Sequence, residues 1–374
     1  MRVDGKRVPI RGRSFRVRFK LPPPKVSVVA VDEAGNRSRK VVTLHTRYFP
    51  VRGVHVSAFA WATPSYRAAL MDAIRDGRIT TVELDLKDES GTIGYASKVP
   101  LALDIGASRD IYDLEETIDR IHRLGARVIG RLVAFRDPVL ARASWAQGHH
   151  ERVIQTRDRQ PYAGYGGFTN FTDDVVRHYN QAIALEAAKA GVDDILYDYV
   201  RKPDGPLMAL RIPGSKGAPE GYIASFVRET TRKVRRFGTR VGVSVYGVAA
   251  TRPEETGQDV RKLARAADYI SPMVYPSHWA PGEYGVGNPN AQPYQIVKRS
   301  LRDFLRQTRG TGATVIPWLQ DFSLGLGYGR AEVCAQMQAA RDVGIEEWLL
   351  WDPNVTYTMA PQPRLCSGVA APLR

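Results

Sequence analysis

The sequence predicts an α/β protein in which a (β/α)8 TIM barrel follows a short N-terminal β-rich segment. Two observations carry this prediction. Eight apolar, β-favouring runs alternate with helical patterns over roughly 300 residues, which is typical of a parallel sheet with a helix after every strand. In addition, no glycine-rich dinucleotide loop follows the first run, which argues against an open doubly wound sheet.

The N-terminal segment, residues 1–46, is predicted to form strands. Polar and apolar residues alternate in Phe15–Phe19, Lys25–Asp32 and Lys40–Leu44, with a turn at Glu33–Asn36. The stretch AVDEAGN, residues 30–36, resembles the A-x-D-x-A-G-N turn of bacterial immunoglobulin-like modules that precede exported enzymes. This resemblance implies a partial module inside a longer exported protein. A strand-rich extension packed on the barrel is the alternative.

The eight predicted barrel strands share an apolar, β-favouring composition. They are Gly53 to Ala60, Thr80 to Leu86, Arg127 to Ala134, Asp194 to Val200, Arg240 to Tyr246, Tyr269 to Tyr275, Ala313 to Leu319 and Glu347 to Trp351.

The predicted helices between these strands begin at capping residues and end at glycines. The clearest are the helix from Thr63 and Pro64 to Gly77, the helix from Asp113 with its capping partner Glu116 to Gly125, and the run Thr172 to Ala190 that Gly191 ends.

Length and composition are those of an ordinary globular chain, which we divide into residues 1–46, a barrel domain over 47–360 and a tail over 361–374. The chain has 374 residues, of which 43% are apolar and 25% charged. No apolar run reaches the roughly 18 residues of a membrane span. The Met1 end lacks the apolar core of a signal peptide, so the expected extracellular or cell-envelope location depends on the immunoglobulin-like resemblance. We expect a monomer.

The net charge of +15 raises the question of an anionic partner. A nucleic-acid binder usually concentrates its basic residues on one face or tail. Here they are spread along the sequence, with only short clusters such as Arg232-Lys233-Arg235-Arg236. We therefore expect no nucleic-acid partner and favour attraction to an acidic cell surface or polymer.

Two cysteines, Cys334 and Cys366, are too few for a metal site of the paired-cysteine kind. Cys334 lies in a predicted helix and Cys366 in the tail. They are either two separate thiols or, if the protein is exported, a disulfide that ties the tail to the helix.

Successive side chains of a barrel strand point alternately to the helices and to the lumen. In the second strand Val82, Leu84 and Leu86 must face the helices, because an unpaired carboxylate there would cost several kcal/mol. Glu83, Asp85 and Lys87 therefore face the lumen. The same rule places in the lumen His55, Ser57, Arg131, Asp198, Ser244, Tyr246, Tyr275, Trp318 and Gln320.

The stretch Asp193 to Pro203 is the predicted centre of the chemistry. An apolar, β-favouring run ends there in Asp198, Tyr199 and Arg201 just before a proline, as in a buried parallel strand that delivers a reactive group to the barrel rim. A structural ion pair of Asp198 with a neighbouring cation is the alternative to catalysis.

The predicted lumen is rich in carboxylates and aromatic rings, which is the chemistry of sugar binding and cleavage. Aromatic faces stack on sugar rings, and paired carboxylates supply the acid and the nucleophile or base. The carboxylates are Glu83, Asp85, Asp88, Asp198, Asp321 and Asp352; the aromatic residues are Phe59, Trp61, Tyr199, Tyr246, Tyr275, Trp279, Trp318 and Trp351.

No metal or organic cofactor is expected. The first strand reads Val54-His55-Val56-Ser57, without the two histidines one residue apart that barrel amidohydrolases carry. A lumen His55 is more typical of a hydrogen-bonded core residue than of a ligand. No Gly-x-Ser-x-Gly elbow is present either, which disfavours a serine esterase.

Six stretches at the ends of predicted strands carry a family resemblance. They are Glu83–Gly91 (ELDLKDESG), Ala134–Pro138 (AFRDP), Tyr197–Arg201 (YDYVR), Ile270–His278 (ISPMVYPSH), Ile316–Phe322 (IPWLQDF) and Trp348–Asn354 (WLLWDPN). With them, the chain from about Val51 to Thr358 resembles the bacterial glycoside hydrolase domain family of predicted barrels related to the alpha-amylase superfamily. The family usually has Phe-Pro after the arginine of the fourth-strand motif, where this chain has Lys202-Pro203.

The resemblance implies hydrolysis of a polysaccharide or oligosaccharide, with Asp198 in the place of the amylase-like nucleophile. The usual fifth-strand glutamate has no counterpart, so another acid is needed. Our first choice is Asp321, followed by Asp88 and Asp85. Arg201 and Lys87 are expected to keep neighbouring carboxylates ionised. Further expected binding or supporting residues are Arg131, Tyr246, Tyr275, His278, Trp318, Gln320, Trp351 and Asp352.

The missing fifth-strand glutamate also leaves an alternative, a non-catalytic carbohydrate-binding or cell-wall scaffold barrel. A sugar deacetylase or metal-dependent amidase is a third possibility, and it would require a divalent metal. The loops 137–171 and 276–293 are long and rich in Gly, Tyr and Trp, and we expect them to shape the subsites.

Overall fold

The structure, a computed structural model, describes residues 1–3, 5–10, 12, 14–17, 25–43, 50–358 and 366. The N-terminal segment forms an antiparallel sheet in the order β2-β1-β3-β4, with β1 Arg2–Val3, β2 Lys6–Arg7, β3 Lys25–Val31 and β4 Arg37–Thr43. The predicted hairpin is therefore present, and Asp32 accepts a hydrogen bond from the backbone N–H of Asn36 at its turn (2.8 Å).

Two other predictions for this segment, the strand over Phe15–Phe19 and the immunoglobulin-like module, are not confirmed. No strand covers Phe15–Val17, while Arg18, Phe19 and Leu44 lie outside the described residues. Four short strands in one sheet do not identify an immunoglobulin-like module, so that resemblance is not confirmed.

The predicted (β/α)8 barrel is confirmed. Its strands are parallel and follow the order β11-β9-β7-β6-β5-β15-β14-β12, and pairing between β11 and β12 closes the ring. The short strands β8 and β10 pair with each other outside the barrel, and β13 pairs with β12. The strands are β5 Arg52–Val56, β6 Thr81–Lys87, β7 Arg127–Val133, β8 Gln155–Thr156, β9 Asp194–Asp198, β10 Leu210–Arg211, β11 Arg240–Tyr246, β12 Tyr269–Met273, β13 Thr314–Val315, β14 Trp318–Gln320 and β15 Trp348–Trp351.

Several strand boundaries differ from the prediction, and two of the differences have identifiable reasons. The first barrel strand ends at Val56 because the Ser57 hydroxyl accepts a hydrogen bond from the backbone N–H of Ala60 (3.2 Å) and caps a helix. Ser57 is therefore a helix cap that directly follows the strand. The seventh strand divides into β13 and β14 around Pro317, which has no N–H for a sheet hydrogen bond.

The helices of the barrel fill the connections between its strands, and their predicted ends are largely correct. The Asp113 carboxylate caps α4 by accepting from the N–H of Glu116 (2.7 Å), and Gly191 ends α6 with a φ of 112°. Asp173 rather than Thr172 caps the start of α6. The helices are α1 Ala58–Ala62, α2 Pro64–Arg75, α3 Pro100–Asp104, α4 Leu114–Arg123, α5 Pro138–Ala146, α6 Asp174–Ala190, α7 Pro219–Val234, α8 Val260–Ala264, α9 Pro293–Thr308 and α10 Arg330–Arg341.

Two apolar layers hold the barrel together. The larger lies between strands and helices, and it includes Val82, Leu84 and Leu86 as the alternation predicts. A smaller cluster fills the lumen with side chains such as Ile129, Leu196 and Trp318. The cluster of polar side chains that includes Asp85, Arg131 and Asp198 lies near the carboxyl ends of the strands.

Cys334 of α10 and Cys366 form a disulfide, with their Cα atoms 5.4 Å apart. Of the two cysteine arrangements left open above, the structure therefore contains the bonded pair. Among the described residues, no helix combines the length and the apolar character that crossing a membrane requires.

Candidate active site

Arg131 is the centre of a buried charge cluster at the carboxyl end of the barrel. Its Nη1 donates to Asp85 (2.7 Å), its Nε and Nη2 donate to the same Asp198 oxygen (3.1 and 2.7 Å), and Nη2 also donates to Glu89. The strands β6, β7 and β9, which supply Asp85, Arg131 and Asp198, are hydrogen-bonded neighbours, and Glu89 follows β6. Side chains that point inward from adjacent strands therefore meet at one guanidinium, which is 1% exposed.

A second layer of the cluster lies beside Arg131. His55 Nδ1 bonds Glu83 (2.7 Å), and His55 Nε2 is 3.6 Å from Asp85. Burial raises the pKa of Glu83, and it raises the pKa of Asp85 to about 7 despite the nearby His55 and Arg131. Burial alone would lower the pKa of His55, but Asp85 and Glu83 together raise it. The charges of His55, Glu83 and Asp85 are therefore interdependent.

His55, Glu83 and Asp85 could each offer one ligand atom to a metal ion, since these atoms lie within 4.8 Å of one another. The Arg131 charge lies 2.7 Å from Asp85 and 4.0 Å from Glu83, so a second cation there would be repelled. The His55 ring also packs on Trp351, with ring centroids 4.2 Å apart. We interpret the three residues as a polar layer that supports Arg131.

A cleft of about 290 Å³ opens above the cluster. Asp198, Glu89 and Arg131 form its charged part, and aromatic rings from the later strands and their loops form most of the rest. Trp318 is fixed by a hydrogen bond from its Nε1 to Ser244 (3.0 Å). The remaining lining residues are Tyr199, Tyr246, Gly247, Val248, Met273, Tyr275, His278, Trp279, Trp318 and Trp351. Such walls suit the apolar faces of sugar rings.

Tyr199 orients Asp198 through its backbone. Its N–H donates to the second Asp198 oxygen (2.7 Å), and it does so with a φ of 46°, in the left-handed region that tyrosine seldom adopts. The ring packs against the guanidinium of Arg136, whose Nη1 donates to the Tyr199 hydroxyl (2.9 Å). Asp198 is thus held from both sides, by Arg131 and by a strained backbone N–H.

Asp321, the acid favoured by the sequence, is not among the residues that line this cleft. Its two oxygens accept from the backbone N–H (3.0 Å) and the hydroxyl (2.7 Å) of Thr358. Burial raises the pKa of Asp321 to about 6. Asp321 therefore remains a prediction as the general acid, and it does not share the cleft lining with Asp198.

Lys87 is a second departure from the predicted site. Its ammonium group bonds Asp137 (2.7 Å) and Asn180 (2.8 Å), and it lies over the ring of Tyr179. Asn180 and Tyr179 belong to α6, so Lys87 faces the helices, and its predicted place in the lumen is wrong. The reason is a shift of register between Asp85 and Lys87, where a bulge interrupts the alternation of side chains.

Arg201 is buried behind the cleft wall and bonds Asp204 (2.7 Å) and the hydroxyl of Tyr246 (2.7 Å). Arg201 and Lys87 therefore do pair with neighbouring carboxylates, Asp204 and Asp137, but neither of these lines the cleft. The cation that bonds Asp198 and Glu89 is Arg131.

Three other predicted residues organise loops. Asp88 accepts from the backbone N–H groups of Ser90 and Thr92, Gln320 accepts from the backbone N–H of Ser277, and Asp352 accepts from those of Asn354 and Thr356. In contrast, the predicted Arg131, Tyr246, Tyr275, His278, Trp318 and Trp351 all line the cleft with Asp198.

Glu89 is the cleft carboxylate that sequence reasoning did not select. It lies two residues beyond the end of β6, inside the ELDLKDESG stretch, where alternation along the strand no longer applies. The only feature of the sequence that could have indicated Glu89 is that a carboxylate follows a predicted barrel strand. Burial favours a raised pKa, but Arg131 outweighs it and lowers the pKa of Glu89 to about 2.

A family model described as "Putative glycosyl hydrolase domain" matches residues 53–357. No protein of curated function matches the chain.

Three solved structures illustrate the likeness of the fold. The PgaB (BpsB) glycoside hydrolase domain from Bordetella bronchiseptica is 16% identical, covering 84% of this chain and 97% of that one, with a TM-score of 0.62. An endo-beta-1,4-mannanase from Thermotoga petrophila is 14% identical over 82% and 68% of the two chains, with a TM-score of 0.53. The spore cortex-lytic enzyme SleL from Bacillus megaterium is 9% identical over 86% and 75%, with a TM-score of 0.50. At these identities the likeness establishes the fold.

Proposed function

The chain belongs to this glycosyl hydrolase domain family, and from that premise we propose that it cleaves a bacterial or environmental polysaccharide with Asp198 as the catalytic nucleophile or base. One observation carries the proposal. Asp198 lies at the carboxyl end of β9, on the floor of an aromatic cleft, with a second carboxylate on the same guanidinium nitrogen. Two carboxylates in an aromatic cleft are what glycosidic cleavage requires.

Glu89 is our choice for the second carboxylate, in preference to Asp321. Glu89 and Asp198 both line the cleft and both accept from Arg131 Nη2, whereas Thr358 occupies both oxygens of Asp321. Arg131 lowers the pKa of Glu89 to about 2 without substrate. A bound sugar hydroxyl that replaces Glu89 at Arg131 would allow its pKa to rise, so that it can carry a proton.

The reaction then has two stages. The Glu89 carboxyl group gives its proton to the glycosidic oxygen as the bond from that oxygen to the anomeric carbon breaks, and Asp198 attacks the anomeric carbon. Glu89, now ionised, takes a proton from water, and the resulting hydroxide displaces Asp198. Arg131 and the Tyr199 N–H hold Asp198 in line for both steps.

A substrate outside the cytoplasm fits two features of the chain. The disulfide between Cys334 and Cys366 is typical of an oxidising compartment. The rim loops also leave the cleft open at one end of the barrel, as a polymer requires. We propose that residues 47–360 form the hydrolytic domain, with residues 1–46 and 361–374 outside it.

The test is product release from a panel of bacterial cell-wall polysaccharides and exopolysaccharides, compared for wild type, Asp198→Asn, Glu89→Gln and Asp321→Asn. We expect Asp198→Asn to abolish cleavage while polymer binding persists. Glu89→Gln should slow cleavage by about 10² to 10⁴-fold, with less loss on substrates that have a good leaving group. Asp321→Asn should retain activity.

Other outcomes have distinct meanings. An inactive Asp321→Asn with an active Glu89→Gln would move the general acid to Asp321. Binding of the panel by every protein, wild type included, with cleavage by none would favour the non-catalytic carbohydrate-binding barrel.

A further inference from the structure

The fold gathers basic residues that are scattered in the sequence. The segments 228–240, 259–268 and 302–312 together contain twelve lysines and arginines but only four aspartates and glutamates. Their net charge of +8 is more than half of the +15 of the whole chain. Basic residues that are spread along the sequence are therefore concentrated in three dimensions.

The three segments lie side by side because each leads into a neighbouring barrel strand. They contain the last turns of α7, α8 and α9 and precede β11, β12 and β13. Gly242 of β11 pairs with Tyr269 of β12, which pairs with Thr314 of β13. In addition, α8 packs against both α7 and α9. The cations therefore share the end of the barrel where strands begin, opposite the cleft.

We call these three segments the α7–α9 basic surface. Its exposed cations are Arg228, Arg232, Lys233, Arg235, Arg236, Arg261, Lys262, Arg265, Arg302, Arg306 and Arg309.

Few of these charges are neutralised within the described chain. Arg235 is 3.6 Å from Asp268, Lys262 is 3.2 Å from Asp259, and Arg306 is 2.8 Å from Asp303. Arg232, Arg265 and Arg309, one from each segment, form no ion pair or side-chain hydrogen bond with any described residue. Cations at helix C-termini complement the helix dipole, but one or two per helix suffice for that.

We propose that the α7–α9 basic surface binds the phosphate headgroups of an anionic phospholipid bilayer and directs the cleft away from it. Three helix ends about 10 Å apart spread the charges in two dimensions, which matches a planar anionic surface better than a single linear polymer. None of the exposed large apolar side chains lies in these three segments, so binding is electrostatic, without insertion. Most of these cations are arginines, and the planar guanidinium group can donate two parallel hydrogen bonds to phosphate oxygens.

The experiment is sedimentation of the full chain with phosphatidylcholine vesicles that contain roughly one third phosphatidylglycerol, compared with pure phosphatidylcholine vesicles. The test variant is Arg232→Ser/Arg265→Ser/Arg309→Ser. Its matched control, Arg109→Ser/Arg142→Ser/Lys216→Ser, removes the same charge from exposed residues that follow β6, β7 and β9. No substituted side chain in either variant has a partner in the described chain, so both should fold.

We expect wild type to bind the anionic vesicles and to be released as salt rises from about 0.1 M to 1 M. The test variant should bind on the order of 100-fold more weakly, because each basic side chain near the surface contributes about fivefold. The control should bind like wild type. Failure of wild type to prefer anionic vesicles, equal losses in both variants, or tighter binding of duplex DNA or polyphosphate at the same salt would overturn the proposal. The release of the wild-type protein from the vesicles by salt tests the proposal without relying on any variant.

Discussion

Arg131 holds Asp198 by two hydrogen bonds to one carboxylate oxygen, from Nε at 3.1 Å and from Nη2 at 2.7 Å. The same guanidinium bonds Asp85 and Glu89, so a single cation orients three carboxylates. Because the N–H donors of the planar guanidinium are rigidly spaced, the positions of these carboxylates depend on one another. This dependence makes Arg131 the residue on which both the stability and the geometry of the site rest.

Replacement of Arg131 by methionine should be strongly destabilising. It leaves Asp85, Asp198 and Glu89 without their common cation, and breaking a buried ion pair in this way costs about 3 to 5 kcal/mol. Arg131→Lys should cost less but still abolish cleavage, since one ammonium cannot hold the three carboxylates in place. Urea unfolding at neutral pH measures the first effect. A loss below about 1 kcal/mol in Arg131→Met would show that water already screens the cluster.

Glu89 should stabilise the fold in a pH-dependent way. Arg131 lowers its pKa from 4.5 to about 2, so its contribution is present above about pH 4.5 and disappears as the pH falls towards 2. Glu89→Gln should therefore be less stable than wild type by on the order of 2 kcal/mol at pH 7, with a shrinking difference in acid. Urea midpoints between pH 2 and pH 7 measure this. A difference that does not change with pH would contradict the ion pair.

The pH dependence of stability should have the opposite sign for Asp321. Burial raises its pKa from 3.8 to about 6, so its favourable contribution is present below about pH 4 and is lost as the pH rises through 6. Asp321→Asn should therefore gain stability relative to wild type between pH 4 and pH 7, by on the order of 2 kcal/mol. If both variants responded to pH in the same direction, one of the two assignments would be wrong.

Tyr199 should tolerate glycine better than alanine. Both substitutions remove the ring, but only glycine adopts a φ of 46° without strain, so Tyr199→Gly should be about 1 kcal/mol more stable than Tyr199→Ala. Tyr66, an exposed residue of α2, offers the matched control. There the order should reverse, because alanine is favoured over glycine inside a helix by about 1 kcal/mol. If the alanine variant were more stable than the glycine variant at both positions, the backbone at Tyr199 would not be strained, and strain could not orient Asp198.

The barrel could be predicted from the sequence because each strand is an apolar run, and neighbouring residues in the chain mark where it begins and ends. The bounds of β11, Arg240–Tyr246, agree with the prediction to the residue, and alternation along β7 and β9 correctly placed Arg131 and Asp198 in the lumen. Lys87 could not be placed in this way, because the bulge that turns it outward depends on how β6 pairs with β7. Alternation is reliable only where pairing is regular.

Contacts between distant segments explain the other differences. Thr358, which holds both oxygens of Asp321, lies 37 residues further along the chain, and no local pattern connects the two. The α7–α9 basic surface likewise combines segments that are far apart in sequence. Glu89 follows its strand instead of lying within it, so its direction is set by the loop and by Arg131.

Cleavage should retain the configuration of the anomeric carbon. Before a substrate takes the place of Glu89 at Arg131, Asp198 and Glu89 each accept a hydrogen bond from Arg131 Nη2, so the two oxygens start at most roughly 6 Å apart, because N–H···O bonds span about 3 Å each. Retaining enzymes place their carboxyl groups about 5 to 5.5 Å apart, and inverting enzymes about 6.5 to 9.5 Å, to leave room for a water molecule. Proton NMR of the first product formed from a cleaved polymer, taken before mutarotation, identifies the anomer. An inverted product would exclude Glu89 and Asp198 as the working pair and would favour an acid that does not line the cleft, such as Asp321.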